Sequence, residues 1–307
     1  MSNQEAFKES SVDDIDISEI FDLIWRFKFL LIASIIVFGL GSVSYSLSLP
    51  NIYTSSAVMK TTDSAGDSSD SGGGVGGLAQ MVGLNLSPGQ ASSSKSDLAV
   101  ATILSRDFLK HLLNFPKFRA NLYAVEKYDH ASKKIFYNEK IYDSLNDTWK
   151  IDKPSYVELY KDYVDMLDTS FAKKTGYITI KLQHQSPFVA EELLSLIIRE
   201  ANLLARARDK QQSTDSLNYL TNQLDVIQQK DIKLSINQLI GVEMRKLTLV
   251  NIEENYLIEP IDSPFIPHMK THPARARISI IGTIAGFVAT LFLLILWYLI
   301  AGRKKEI

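Results

Sequence analysis

Two long apolar segments bracket a polar middle part of the chain. Residues 29–49 and residues 278–300 contain no charged side chain. Each is long enough for an α-helix to cross the hydrocarbon core of a bilayer, which is about 30 Å thick. We therefore predict two transmembrane helices that flank one large domain. A cleaved signal peptide is the alternative for the first segment, but its apolar run is too long and no clear small-residue cleavage pattern follows it.

Basic residues beside the first segment predict how the chain is oriented. Arg26 and Lys28 precede this segment, whereas the first basic residue after it is Lys60. Lysine and arginine are in excess in cytoplasmic flanks, so we expect the N-terminus in the cytoplasm and the middle domain on the other side. Two crossings then return the C-terminus to the cytoplasm.

The middle part contains one clear strand and one clear helix start. Apolar side chains occupy every second position of residues 177–184, which is the pattern of a half-buried strand. Ser186 and Pro187 follow as a typical N-cap and first helical residue. The apolar spacing beyond them predicts a long helix over 187–229 and a return helix over 232–253.

Weaker patterns predict the other elements of the fold. Alternation predicts strands over residues 52–60 and 256–259, and an acidic residue before an apolar face predicts an interfacial helix over 17–28. Residues 96–113 are predicted as one amphipathic helix. The Tyr- and Lys-rich residues 115–171 are predicted as short helices around turns at their prolines.

A run of prolines predicts extended backbone before the second apolar segment. Proline fixes φ and lacks a donor, so residues 260–273 are expected to form a stiff strap. The prolines of this strap are Pro260, Pro264, Pro267 and Pro273.

Composition excludes several classes of partner and chemistry. The terminal tails hold 6 of the 33 basic and 8 of the 35 acidic residues, so the middle domain is balanced in charge. A balanced domain argues against nucleic acid as a partner. The chain has no cysteine, which excludes disulfides, thiol catalysis and thiolate metal sites.

Three local patterns could indicate a ligand or catalytic site, and each lacks a required part. The glycine-rich residues 72–77 lack the lysine and hydroxyl residue of a phosphate-binding loop. His268 and His272 have the spacing of two zinc ligands, but no glutamate lies between them and the neighbouring prolines disfavour a helix. No nucleophile elbow of the GxSxG type occurs. We predict no catalytic, cofactor-binding or metal-binding residues.

Small residues predict contact between the two apolar helices. Gly282 and Gly286 form a GxxxG pair in the second helix, and Ser42 and Ser46 form a similar pair in the first. This spacing lets helix backbones approach closely in lipid. Small residues without a packing partner are the alternative.

Several motifs, taken in order, resemble one known family. Residues 14–28 form an acidic and then apolar approach to the first segment, residues 174–187 form a strand-to-helix junction, and residues 254–262 lead into the proline-rich strap. This order resembles the Wzz-type chain length determinants, or polysaccharide co-polymerases. Residues 72–84 also resemble members related to tyrosine-kinase co-polymerases. A nucleotide-binding domain follows the second span in those members, whereas residues 302–307 carry no Walker motif, so we expect no kinase activity.

The resemblance implies an α+β fold and a non-enzymatic function. Two transmembrane helices would flank a periplasmic α/β domain with a long extended helical hairpin, in the inner membrane of a Gram-negative bacterium. The protein would assemble as a homo-oligomeric ring and set the chain length of lipopolysaccharide O-antigen or a related glycan, without a cofactor. Its partners would be the O-antigen polymerase, the growing polysaccharide or lipid-linked glycan, and the membrane. The residues expected to hold the polymerase or to pack the helices are Pro260, Pro264, Pro267, Pro273, Gly282 and Gly286.

Two other functions remain open from the residues alone. A membrane-anchored sensor or receptor ectodomain shares the two-span frame but would need a signalling domain after the second span. A periplasmic glycan hydrolase would need catalytic acids that no motif identifies. The predicted boundaries are residues 1–28 for the N-terminal tail, 29–49 and 278–300 for the spans, 50–277 for the periplasmic domain and 301–307 for the C-terminal tail.

Overall fold

The computed structural model describes residues 25–62, 88–172 and 174–303. The chain divides into two compact units, one of residues 51–271 and one formed by the segments before and after them. The glycine-rich residues 72–77, and the predicted interfacial helix as far as residue 24, lie outside the described residues.

The described residues form the following elements. The helices are α1 (Lys28–Ser48), α2 (Pro88–Ile103), α3 (Arg106–Leu112), α4 (Phe118–Tyr123), α5 (Tyr156–Asp165), α6 (Pro187–Val226), α7 (Lys230–Ile252) and α8 (Arg275–Arg303). The strands are β1 (Tyr53–Thr61), β2 (Val125–Asp129), β3 (Lys134–Tyr137), β4 (Tyr142–Asp143), β5 (Thr148–Trp149), β6 (Leu167–Ala172), β7 (Tyr177–His184) and β8 (Ile258–Asp262).

Helices α1 and α8 form the terminal unit, and both are long and apolar enough to cross a membrane. The predicted fold class, with a candidate membrane helix at each end of a mixed helix and sheet domain, is confirmed. Most of the large apolar side chains of both helices are exposed. A helix whose whole circumference is apolar and exposed is expected where lipid, rather than protein, surrounds the helix.

An antiparallel four-stranded sheet organises the middle unit, with the strand order β6-β7-β1-β8. One face of β7 carries Ile178, Ile180 and Leu182, all fully buried against the first turns of α6. The central β1 contributes Ala57 and Met59 to the same core. The alternation of apolar residues therefore predicted β7 within its observed bounds. Alternating positions on a strand point to opposite faces of a sheet.

Strand β8 begins two residues later than its sequence pattern predicted. Tyr256 is buried, and its hydroxyl donates to Asp209 of α6 at 2.8 Å, so it belongs to the base of the helical hairpin. The strand runs on through Pro260, which pairs with Met59 beside a β-bulge. An edge strand tolerates proline because one side of its backbone has no ladder partner.

The single helix predicted over residues 96–113 is wrong, because the chain forms two helices there. Ser105 is extended, and its hydroxyl accepts a hydrogen bond from the Phe108 amide at 3.1 Å, so it caps a new helix, α3. The carbonyls of Ile103 and Leu104 at the end of α2 accept hydrogen bonds from the hydroxyls of two tyrosines, Tyr163 and Tyr160. A serine N-cap outweighs a continuous apolar pattern when tertiary partners satisfy the freed carbonyls.

The short helices predicted over residues 115–171 are present only in part. Helices α4 and α5 follow the prolines as expected, but two small hairpins, β2–β3 and β4–β5, lie between them, and β6 follows. The strands of these hairpins are two to five residues long. A strand this short cannot show a period of two reliably, so the sequence pattern could not identify it.

Helices α6 and α7 form the extended hairpin. Ser186 caps α6 by accepting from the Val189 amide, and Pro187 is its first residue, as predicted. The long helix ends at Val226 and the return helix begins at Lys230. The predicted segments were 187–229 and 232–253, so the reversal comes slightly earlier than the apolar spacing indicated.

His184 is buried at the junction between β7 and α6. Its Nδ1 accepts from the Ser186 amide at 2.9 Å, and its Nε2 lies 2.9 Å from the Asn121 carbonyl oxygen, to which it donates. The ring is therefore neutral, with its proton on Nε2. Burial lowers the pKa of His184 below its ordinary value of 6.5, although the carbonyls of Asn121 and Ser186 act in the opposite direction.

Acidification is expected to destabilise the protein through His184. Because its folded-state pKa lies below the unfolded value, its contribution is complete above about pH 6.5 and is lost as the pH falls toward the folded pKa. One proton can add a slope of at most about 1.4 kcal/mol per pH unit. We expect the melting temperature to fall more steeply between about pH 7 and pH 5 in the unsubstituted protein than in His184→Gln. The exposed-site variant His268→Gln should keep the original slope, and equal slopes in the unsubstituted protein and His184→Gln would contradict this role.

Candidate functional site

The proline-rich strap is fastened to the first residues of the sheet. After β8, the Phe265 carbonyl accepts a hydrogen bond from the hydroxyl of the fully buried Ser55 at 2.8 Å. Farther along, the Thr271 amide donates to the Ile52 carbonyl at 2.8 Å. Pro267 between these two contacts is buried. The strap is extended, as its prolines predicted. It runs alongside β1, although about 210 residues separate the two segments in sequence.

Asn202 of α6 holds the backbone at the start of β8. Its side-chain oxygen accepts from the amides of Leu257 and Ile258 at 2.7 and 2.9 Å. Its side-chain nitrogen donates to the carbonyls of Ile258 and Ile198 at 3.0 and 3.2 Å. Asn202 is 4% exposed. One buried amide thus satisfies both backbone groups of Ile258 and fixes where the strap begins.

In the terminal unit, the two glycines of the GxxxG pair lie against α1. A Cβ atom at Gly282 would lie 2.6 Å from Cβ of Ser42, and one at Gly286 would lie 2.1 Å from Cγ of Phe38. Such separations are far below van der Waals contact, so only glycine permits this approach. Gly39 of α1 contributes a third small position, opposite Thr283.

A hydrogen bond joins the same two helices inside their apolar environment. The Ser42 hydroxyl lies 3.2 Å from the Ser279 carbonyl oxygen and 3.0 Å from the Gly39 carbonyl oxygen of its own helix. Near the other end, the rings of Phe27 and Trp297 meet edge to face, with centroids 5.9 Å apart. Close backbone approach and a polar contact are the features that hold helices together where the hydrophobic effect is absent.

The helical hairpin exposes many apolar side chains outside its own seam. On α6, Tyr219 is 64% exposed and Val226 is 73% exposed. On α7 the exposed apolar residues are Ile232, Leu234, Leu239, Met244 and Ile252. Exposed apolar side chains mark an interaction site where they form one contiguous patch.

The predicted site residues fall in both units. Pro260, Pro264 and Pro267 belong to the middle unit, whereas Pro273, Gly282 and Gly286 belong to the terminal unit. His268 and His272 are exposed. Among the described residues, no group of three or more His, Asp or Glu side chains could hold a metal ion.

The sequence reasoning missed Ser55 and Asn202. Asn202 carried a usable signal, since it is a polar residue inside the apolar face of α6, four positions after Ile198. A polar residue buried on such a face needs a partner. Ser55 carried no comparable signal, because serine is ordinary in a strand and its partner is a distant backbone carbonyl.

One family model matches the beginning of the chain. Residues 13–114, about a third of the chain, match the family model described as Wzz: chain length determinant protein. The match includes α1 and β1. No curated protein matches the chain. One similar solved structure is described as a full-length bacterial polysaccharide co-polymerase; it covers 95% of this chain and 98% of its own, at 14% identity and a TM-score of 0.40. The family match at residues 13–114 confirms, for this part of the chain, the resemblance noted in the sequence.

Proposed function

We propose that this protein regulates the chain length of a bacterial surface polysaccharide and does so by holding other components rather than by breaking or forming bonds. The match of residues 13–114 to chain length determinant proteins carries this proposal. Two helices that can cross a membrane support it, because they flank residues 51–271 in the sequence.

The location and the polymer are finer parts of the proposal. We place residues 51–271 in the periplasm and both termini in the cytoplasm of the inner membrane. Arg26 and Lys28 support this orientation, since they lie at the start of the first apolar segment and no base follows that segment until Lys60. The polymer is lipopolysaccharide O-antigen or a related glycan, as the family resemblance implies.

Self-assembly into a homo-oligomeric ring would explain the exposed apolar residues of the hairpin. One hairpin cannot bury Tyr219, Val226, Leu234 and Met244 together, because its seam uses only one face of each helix. Neighbouring copies that pack side by side would cover the outer faces. In this arrangement the hairpins form the wall of the assembly.

The strap and α8 are the proposed contact with the polymerase. Four prolines give this segment a fixed, extended shape, so it loses little conformational entropy on binding. They are Pro260, Pro264, Pro267 and Pro273. Gly282 and Gly286 keep α8 paired with α1. A partner held in this way would stay associated with the assembly while the polymer grows.

Deleting the gene and separating the extracted polysaccharide on a gel tests the function. We expect the modal distribution of chain lengths to broaden and to return when the gene is restored. The mass of the detergent-solubilised protein tests the assembly, and we expect a multiple of the chain mass of 34.5 kDa. An unchanged length distribution after deletion would overturn the proposed function, and a monomeric mass would overturn the ring.

A further inference from the structure

The hairpin of α6 and α7 has a base that is packed into the core and an arm that is not. In the base, residues 187–205 of α6 bury most of their apolar side chains against the sheet. Val250 near the end of α7 packs with Ala205 and Tyr256. The arm consists of residues 214–242, and among these residues, all of which the structure describes, only Ile236 is buried. Helices that bury so little apolar surface gain little stability from tertiary packing.

A belt of polar residues lies between the base and the arm. Oδ2 of Asp209 on α6 accepts a hydrogen bond from the Tyr256 hydroxyl at 2.8 Å, and Nζ of Lys246 on α7 lies 3.8 Å from the same oxygen. Ser213 follows Asp209 by one helical turn, and Glu243 precedes Lys246 by about one turn. Because the two helices run antiparallel, Ser213 and Glu243 both lie one level closer to the arm. These four residues of α6 and α7 are named the polar waist.

Two buried oxygen atoms of the polar waist have no hydrogen-bond partner among the described residues. Ser213 is fully buried, yet its Oγ forms no hydrogen bond, and the same holds for the buried Oε2 of Glu243. A helical hydroxyl can bond the carbonyl four residues earlier, as the neighbouring Thr214 does with Lys210 at 2.8 Å. Burial without a partner destabilises the closed hairpin, whereas water solvates these oxygens once the helices separate.

Polar contacts between α6 and its partner segments end at the polar waist. On the base side, the Arg206 guanidinium donates to the Glu253 carbonyl, and Asp209 holds Tyr256. Within the arm, no side-chain hydrogen bond or ion pair between described residues joins α6 to α7. The side-chain bonds that the arm forms stay within one helix, as between Gln211 and Asp215.

We propose that the hairpin opens at the polar waist, so that the arm separates as one unit while the base stays packed on the sheet. Opening gives Ser213 and Glu243 access to water and breaks few buried apolar contacts, because Ile236 is the one buried side chain of the arm. This conformational device goes beyond the proposed function, which concerns copies that pack side by side. A neighbouring copy that packs on the closed arm would shift the equilibrium toward the closed state.

Hydrogen exchange of the full chain in detergent, read by mass spectrometry, tests the opening. We expect the amides of residues 214–226 and 230–242 to exchange about tenfold faster, or more, than those of residues 190–205, because the arm opens without the base. Ser213→Ala removes the unpartnered hydroxyl without adding volume. It should slow exchange of the arm by about tenfold, which corresponds to roughly 1.4 kcal/mol, and leave exchange of the base unchanged.

Ser235→Ala is the matched control. It makes the same change of residue type in α7, but Ser235 is exposed and its hydroxyl bonds the Asp231 carbonyl of its own helix at 3.2 Å. This variant should therefore slow exchange of the arm much less than Ser213→Ala does. Equal effects of the two variants would remove the role of the polar waist. Equal exchange of the arm and the base in the unsubstituted chain would show that the hairpin opens only as a whole, and either result overturns the proposal.

Discussion

Replacing Gly286 by leucine is expected to separate α8 from α1 and to abolish the proposed control of polysaccharide chain length. Even a Cβ atom at this position would lie 2.1 Å from Cγ and 2.4 Å from Cβ of Phe38. Rotation of the Phe38 ring cannot relieve the contact with its own Cβ, so the helix backbones must move apart. The contact between Gly282 and Ser42, one helical turn away, would be lost with it.

A cross-link reports this separation directly. The chain has no cysteine, so Gly39→Cys with Thr283→Cys introduces one pair, at positions where a Cβ on Gly39 lies 3.5 Å from Oγ1 of Thr283. We expect Gly286→Leu to lower the yield of the oxidised cross-link in membranes by about tenfold, which corresponds to roughly 1.4 kcal/mol of pairing free energy.

Gly41→Leu is the matched control for this experiment. It adds the same side chain to α1, but a Cβ at Gly41 has no neighbouring atom within 4 Å. The cross-link yield and the length distribution should therefore stay close to those of the unsubstituted protein. Equal yields in Gly286→Leu and Gly41→Leu would show that the glycine contact does not hold the helices together.

Replacing Asn202 by alanine is expected to lower the free energy of unfolding by about 3 kcal/mol, since a buried backbone group left without a partner costs roughly 1–3 kcal/mol. The substitution leaves the amides of Leu257 and Ile258 and the carbonyl of Ile258 without their side-chain partner. Because these groups lie where β8 begins, the strap beyond them should also become less ordered.

Thermal unfolding and hydrogen exchange of the full chain measure this effect. Asn202→Ala should lower the melting temperature and speed exchange of the amides of β8. Asn251→Ala is the control, because Asn251 is exposed and, among the described residues, its side chain bonds only the Leu247 carbonyl of its own helix. If both variants unfold at the same temperature, Asn202 does not anchor the strand.

Local patterns were enough to predict the parts of the fold that repeat over many residues. The two apolar segments predicted α1 and α8, strict alternation predicted β7, and Ser186 with Pro187 predicted the start of α6. In each case neighbouring residues carry the whole signal, because the period of a helix or a strand is set by its own backbone. The family resemblance also depended on such motifs and on their order.

Contacts between distant residues could not be predicted in the same way. The chain forms two helices around Ser105 because the carbonyls before it accept hydrogen bonds from tyrosine hydroxyls. These tyrosines, Tyr160 and Tyr163, lie more than 50 residues later in the sequence. A cavity beside Trp149 joins bases and aromatic rings from three segments of the Tyr- and Lys-rich region. Composition alone showed this region to be rich in tyrosine and lysine, and only the packing of its hairpin brought those side chains to one place.

The sequence by itself determined that the chain has two apolar helices long enough to cross a membrane, a half-buried strand and a long helix, and that small residues occur on the second apolar helix. Tertiary structure alone decided which partner each of these features meets. Gly286 lies against Phe38, Ser55 holds Phe265, and Asn202 holds Ile258. The physical reason is that close packing and hydrogen bonding depend on positions in space, which separations of 56 to about 250 residues along the chain do not reveal.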